Sequence, residues 1–512
     1  MTLSDLLTIF GIILAIIALI SEKNREYIFL KFSKKNLIFL IAIILFVHFL
    51  ISFNWFLNTF PILSFSECQY CPPSNGWAYI ITIFILLWLL WKIYKAIFPL
   101  DNRERLLNYY EAQLLKGNFS FVADLIEKYH INQIVEYIKK VKEIKVNNPT
   151  GLWHFDQQEY LKEYEKKINT TELTYGNNLL FRIIKNSIFV EKIANTYPYF
   201  FTSIIIEMDN QEVKDADFTN LFLKTLFVAK NKQFFNEIRN NQNLAEFETY
   251  RIEKQRPILY SLFNNIKVAE LNEVWRAVGE QAILEMEAEA KKSFSPLRET
   301  DREQDKDTIW SYRIQNAIWF FDIMIRQAIK GEITYHMWLF YYWHFTKSIL
   351  KNISEVNDYE PESAIPSRNH ELLESIISKS CDWIDVVIKS KKNAISKSIT
   401  TCMGECVYEI AISNKLNDKT KHYLIDLQWE TIITLWGEIG TEEILENIVN
   451  DYFEALSKPI MGLDFYSTEK IEYTRIMNLL YEKRDKPKFT STLEQERVVK
   501  FKETVIDTLN QE

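Results

Sequence analysis

Trp77-Ala-Tyr-Ile-Ile-Thr-Ile-Phe-Ile-Leu-Leu-Trp-Leu-Leu-Trp91, followed by Lys92, Lys95, Phe98 and Pro99, is the stretch whose reading decides the fold. A helix rising about 1.5 Å per residue over Trp77–Phe98 would cross the ~30 Å hydrocarbon core of a bilayer. Trp77 and Trp91 stand near its two ends, where amphipathic rings anchor a span at the interface. No comparable apolar run follows it. The segment therefore reads as the last of the membrane block and the entry to a long polar chain.

Two further apolar runs precede it. Leu3–Ile20 is just long enough to span, and no basic n-region before it or small-residue cleavage site after it marks a signal peptide. Gly11, Ala15 and Ala18 fall on nearly one face of that helix, which suits close helix contact. Leu37–Leu57 carries mostly Leu, Ile, Phe and Val, so insertion is favoured even after the cost of His48 and Asn54. Three transmembrane helices, at about 3–20, 37–57 and 77–98, make a membrane domain over residues 1–100.

Loop charge orients them. Lys23, Arg25, Lys31, Lys34 and Lys35 lie between the first two spans, residues 58–75 hold no Lys or Arg, and Lys92, Lys95, Arg103 and Arg105 flank the end of the third. The positive-inside rule then places the N-terminus outside and the long C-terminal region in the cytoplasm. The frequent Lys, Asn, Ile and Phe suggest a bacterial source, which would make the membrane the inner one.

Three features of this block invite chemistry. His48 lies midway along the second span, where an ionisable side chain marks an ion path or gate, or is a neutral imidazole bonded to another span, for instance at Thr82. Cys68 and Cys71, in the outside loop, are a candidate disulfide; two free thiols, or half of a metal site lacking His or acidic partners, are the alternatives. Pro99 marks a joint where the third span passes into the capping-box-like Asp101-Asn-Arg-Glu104, and it is the candidate coupling joint.

Beyond residue 100 the chain reads as all-α. Glycine is scarce at 11 residues and proline at 12, which disfavours barrels, sandwiches and phosphate-cradling loops. Helical spacing recurs over 119–129, 131–144, 152–169, 179–194, 199–208, 218–230 and 268–291. The charged stretch 291–307 reads as a linker between a first lobe, 101–290, and a second, 308–512. In the second lobe the spacing predicts helices over 308–329, 335–353, 370–390, 394–413, 421–439, 442–456, 468–481 and 493–509. No fixed repeat emerges, so an irregular, solenoid-like helical region is expected, with an extended surface suited to a partner.

The overall net charge of −8 divides into +3 over residues 1–100 and −11 beyond, which makes nucleic acid an unfavoured partner. The aromatic run Tyr335–Phe345 reads as buried packing before base stacking. His336 and His344, eight residues apart and so roughly 12 Å along a helix, cannot share one metal. Cys402 and Cys406 sit one turn apart and read as reduced, buried side chains. His370-Glu-Leu-Leu-Glu374 lacks the second His of a zincin, and no Walker A, GxGxxG, GxSxG or kinase motif is present. No catalytic, cofactor or metal residue is assigned.

These readings point to a membrane-tethered helical sensor, adaptor or effector that acts by protein–protein interaction or self-assembly. Its general plan is similar to that of membrane effectors of bacterial stress and antiphage defence, an analogy of layout that rests on no motif. A channel or transporter subunit using His48 is the alternative, and an enzyme with a nonstandard helical site a second. The expected partners are the bilayer and a protein partner or second copy; no small-molecule ligand can be named.

Overall fold

The computed structural model describes residues 21–53, 73–94, 98–99, 102–146, 171–242, 257–298, 311–334, 337–353, 364–435, 441–459, 468–484 and 491–511, with isolated positions between. Among these residues the protein is entirely helical, without strands. By packing, the chain divides into two compact units, residues 1–189 and 190–512. The expected first span (3–20) apart from isolated positions, the loop with Cys68 and Cys71, the expected helix 152–169, residues 299–307 of the charged linker and the first residues of the expected helix 308–329 fall outside the described residues.

The first unit contains α1 (Glu22–Leu30), α2 (Lys34–Ile51), α3 (Ser74–Tyr94), α4 (Arg103–Leu115), α5 (Phe119–Tyr129), α6 (Ile131–Val146) and α7 (Thr171–Asn178). α2 and α3 are each long and apolar enough to cross a membrane, with mean hydropathies of 2.1 and 1.8. Ser33 starts α2 by accepting a hydrogen bond from the Asn36 amide. Val47 and Ala78 form a small core with Ile43, Leu50, Ile51, Ile81 and Ile85. At the other end Phe39 meets Trp88 edge-on, so the two helices run antiparallel. Most of their remaining apolar side chains, Ile41, Phe46, Phe84 and Leu87 among them, are exposed.

The helix after α7 departs from its expected course. A π turn at Leu179–Ile184 ends at Lys185, where the spacing predicts one helix to 194. The Asn186 side chain accepts from the Ile188 and Phe189 amides and starts a new helix, α8 (Ser187–Thr196), which runs across the boundary between the units.

The second unit continues with α9 (Tyr199–Asn210), α10 (Ala216–Val228), α11 (Lys232–Gln242), α12 (Pro257–Phe263), α13 (Ile266–Leu271), α14 (Val274–Ala290), α15 (Arg313–Lys330), α16 (Phe340–Asn352), α17 (Arg368–Ser390), α18 (Ser396–Ile412), α19 (Asp418–Ile433), α20 (Glu442–Ser457), α21 (Thr468–Arg484), α22 (Thr492–Phe501) and α23 (Asp507–Gln511). Alternate helices lie side by side: α10, α14, α16, α18 and α20 form one layer, and α11, α15, α17 and α19 the other. α14 packs on both α15 and α16, so helices before and after the expected 291–307 linker pack within the same unit. Gly279 on α14 lets the Tyr341 ring of α16 lie directly against the helix backbone, and Gly404 lies against Ala455 in the same way.

Gly117 follows α4 in the left-handed conformation, but with so little glycine other helices end by other means. Glu212, Lys230, Glu273, Glu332 and Lys391 adopt the left-handed conformation that glycine usually occupies. The Glu273 bend, with buried Asn272 accepting from the Asp215 amide, splits the run predicted as one helix over 268–291 into α13 and α14. Other ends are closed by charged side chains from beyond the helix they close. Arg313 donates to the carbonyls of Phe227 and Val228, Arg298 to those of Asn352 and Ala290, and Arg497 to those of Ile433 and Leu435. Glu237 accepts from the first amides of α12, and Glu285 from those of α15. Each supplies partners to groups that a helix end leaves unsatisfied. At the start of α22, Ser491 and Glu494 form a capping box.

Candidate functional site

Pro99 leads to the most unusual surroundings in the first unit. Proline disfavours helical backbone in the residue before it, and Phe98, read from the sequence as the last residue of the span, lies outside α3. Its ring is buried against Tyr27, Tyr129 and His130, with centroids 5.3, 6.2 and 5.4 Å away. The carbonyl of Pro99 accepts from the Asn102 amide at 3.0 Å, closing a tight turn.

Asp101, the capping residue of the sequence pattern, lies outside the described residues, and Asn102, which immediately precedes α4, makes no capping bond with its side chain. Its buried carboxamide instead donates to the carbonyls of Leu30 and Phe32, both at 2.8 Å. The turn after Pro99 is thus fastened to the segment joining α1 to α2. Sequence separation hides this, because Asn102 and Leu30 lie 72 positions apart.

Lys31, in that segment, is only 2% exposed. Its ammonium donates to the Ile93 carbonyl in the last turn of α3, and lies 4.9, 5.3 and 5.9 Å from the ring centres of Tyr129, Tyr27 and Phe98. Burial pulls its pKa below the usual lysine value, the Tyr129 ring hydroxyl opposes this, and neighbouring Lys128 adds to it. No carboxylate among the described residues pairs with Lys31. It is held by the Ile93 carbonyl, the Tyr129 hydroxyl and the aromatic faces around it.

His130 forms the floor. Its Nδ1 meets Gln133 Oε1 and its Nε2 meets the Tyr110 hydroxyl, each at 2.9 Å. Gln133 Oε1 can only accept, so Nδ1 carries the proton and Nε2 accepts from Tyr110. Burial pushes the imidazole pKa down to about 4; the Gln133 bond opposes this and the Arg103 charge adds to it. Burial likewise raises the Tyr110 hydroxyl, keeping it a donor. Arg103 stacks over the Tyr175 ring, and Arg182 clamps the π turn to α4 by a bidentate bond to Glu111 and a bond to Glu104.

The residues singled out by sequence separate here. Pro99 belongs to this joint. His48 is exposed on α2, while Thr82 is buried and donates to the Ala78 carbonyl of its own helix. Cys68 and Cys71 lie outside the described residues. In the second unit Trp338, Tyr342, Trp343 and Phe345 are buried, as expected of the aromatic run, and His336 lies outside the residues with described side chains. Cys402 and Cys406 are buried free thiols. Among the described residues no group of three or more His, Cys, Asp or Glu could hold a metal ion.

What the joint can do is mechanical. It ties the end of α3, the segment before α2 and the helices α4, α5 and α7 into one buried cluster. The chain matches no family model, no curated protein and no solved structure.

Proposed function

We propose that this protein is a membrane-tethered helical sensor, adaptor or effector of the bacterial inner membrane, acting by recognition of a protein partner or by self-assembly. Three spans would hold it, with the N-terminus outside and everything beyond Pro99 cytoplasmic. The observation that carries this reading is the joint: two helices apolar enough to cross a membrane lead directly into a buried cluster that locks their ends to the helices that follow, α4, α5 and α7. Exposure of Ile41, Phe46, Phe84 and Leu87 suits lipid contact better than a soluble core. Events on the helical arrays would reach the spans through this cluster, and self-assembly would alter or permeabilise the membrane, as in stress or antiphage defence.

Alkaline extraction of membranes and accessibility mapping of single cysteines test the tether. Release into the soluble fraction, or an outward-facing C-terminal region, overturns it. Cross-linking in native membranes tests assembly, and recovery of the bare monomer alone counts against it.

Exposure of His48 among the exposed Leu45, Phe46 and Phe49 favours a second reading, a channel formed between copies. An imidazole there would find its polar partner on another chain. Ion flux in liposomes that disappears in His48→Ala would support the channel, and flux-free liposomes would remove it.

A further inference from the structure

The end of the α2–α3 pair nearest the joint carries an asymmetry of charge. Phe32 and Phe39 both pack edge-on against Trp88, and Lys31 reaches Ile93, so the start of α2 and the end of α3 lie together. That end presents Lys34 and Lys35, both exposed, and Lys92, whose ammonium lies 6.0 and 5.8 Å from the Trp88 and Trp91 ring centres. None of the three pairs with a carboxylate among the described residues. Lysines that do pair are found elsewhere in the chain, for example Lys140 with Glu136, Lys421 with Glu472 and Lys483 with Asp426. Glu26, a nearby acid of α1, sits within electrostatic range of Tyr109 on α4.

We propose that Lys34, Lys35 and Lys92 form a binding site for the phosphate group of an anionic phospholipid in the leaflet on the joint's side of the membrane. The proposal rests on the membrane reading above and names a partner for it. Trp91 and Tyr94, 52% and 84% exposed, flank Lys92 and supply the aromatic belt that sits at headgroup depth. The lysine heads then reach the phosphate plane while their stems lie along the helices. A net anionic headgroup satisfies three ammonium groups that a zwitterionic one, with its own cation, satisfies poorly. Lys31 is excluded from the site because it is turned inward on Ile93, and its place in the joint brings the site next to the coupling cluster. Lipid charge would therefore act on the element that links the spans to α4, α5 and α7.

The test uses the full chain reconstituted in phosphatidylcholine bilayers, with trace spin-labelled phosphatidylglycerol or phosphatidylcholine reporting association at the protein surface. The wild type should prefer phosphatidylglycerol about fivefold or more, and the preference should fall as salt rises. Lys34→Gln/Lys35→Gln/Lys92→Gln should abolish the preference, and the Arg triple variant at the same positions should keep it. Equal association of both lipids in the wild type, or an unchanged preference in the Gln variant, overturns the proposal. So does displacement of phosphatidylglycerol by inorganic phosphate beyond that by chloride at equal ionic strength, because the site would then take free phosphate. Failure of the membrane reading is distinguishable, since the chain would not be retained in bilayers after alkaline extraction.

Discussion

Lys31 Nζ donates a 2.5 Å hydrogen bond to the carbonyl oxygen of Ile93, so the segment before α2 caps the C-terminal end of α3. The last carbonyls of a helix lack intrahelical partners and carry partial negative charge, and a lysine is well suited to them. Replacing Lys31 with Met keeps the stem among the rings and removes the charge. The lost charged hydrogen bond and ring contacts outweigh the relief of burying a cation, for a net cost of about 2 kcal/mol. Lys31→Ala should cost more, because a cavity adds to the loss. Denaturant melts of the detergent-solubilised chain measure both, and a Met variant as stable as wild type would show that burial cancels the contacts.

His130 gives the first unit a sensitivity to acid. Its pKa in the folded chain is about 4, below the 6.5 of the free group. Above the free value both states are neutral and the group contributes nothing. As pH falls below it the unfolded chain binds a proton that the folded chain refuses, so stability declines until the folded pKa is passed. The shift predicts a loss of about 2 kcal/mol between roughly pH 7 and pH 5. In His130→Phe this part of the pH dependence should vanish, even though losing the Tyr110 and Gln133 bonds lowers the starting stability.

Asn102→Ala should loosen the joint without affecting insertion. The Leu30 and Phe32 carbonyls would lose their common donor, at a cost of about 2 kcal/mol. Hydrogen exchange should speed up locally in residues 28–34, while alkaline extraction stays unchanged. Unaltered exchange would mean that the ring cluster alone holds the segment.

Gly279→Ala places a methyl group inside the Tyr341 ring, so one element must shift. A destabilisation of about 1–3 kcal/mol is expected. Combining it with Tyr341→Ala should recover part of the loss, and a double-mutant cycle reads the coupling. Simple additivity would place the clash elsewhere.

Lys391 ends α17 with φ at 56°, and its amide donates to the Ile388 carbonyl. A side chain in that conformation costs about 1–2 kcal/mol, and glycine gives part of this back as unfolded-state entropy. Lys391→Gly should therefore stabilise the second unit by about 0.5–1 kcal/mol, which a thermal melt would register.

Periodic apolar spacing marked the long amphipathic helices well. Residues 119–129 emerge as the helix expected there, and α20 begins at the anticipated Glu442. What spacing does not carry is punctuation by residues without a turn signature. Glu273 ends a helix in a conformation its side chain disfavours, and the π turn at Leu179–Ile184 contains no Gly or Pro. The joint is less legible still. Pro99 marked the place, but Tyr27, Lys31, Tyr129 and His130 come together only through packing. Nothing local in the sequence distinguishes the buried Lys31 from the exposed Lys34 and Lys35 three and four residues later.

The cross-helix caps of the second unit carry a consequence for how it comes apart. A stack of helix pairs held only by neighbour contacts can fray from its ends, one pair at a time. Here Arg313 finishes a helix whose carbonyls lie 85 and 86 residues earlier, and Arg497 finishes one that ended more than 60 residues before it. Removing α22 would strip the terminus from α19, and opening α15 would uncover the end of α10. Shortening the chain from its C-terminus should thus cause one abrupt collapse in place of a graded series of smaller, still folded fragments.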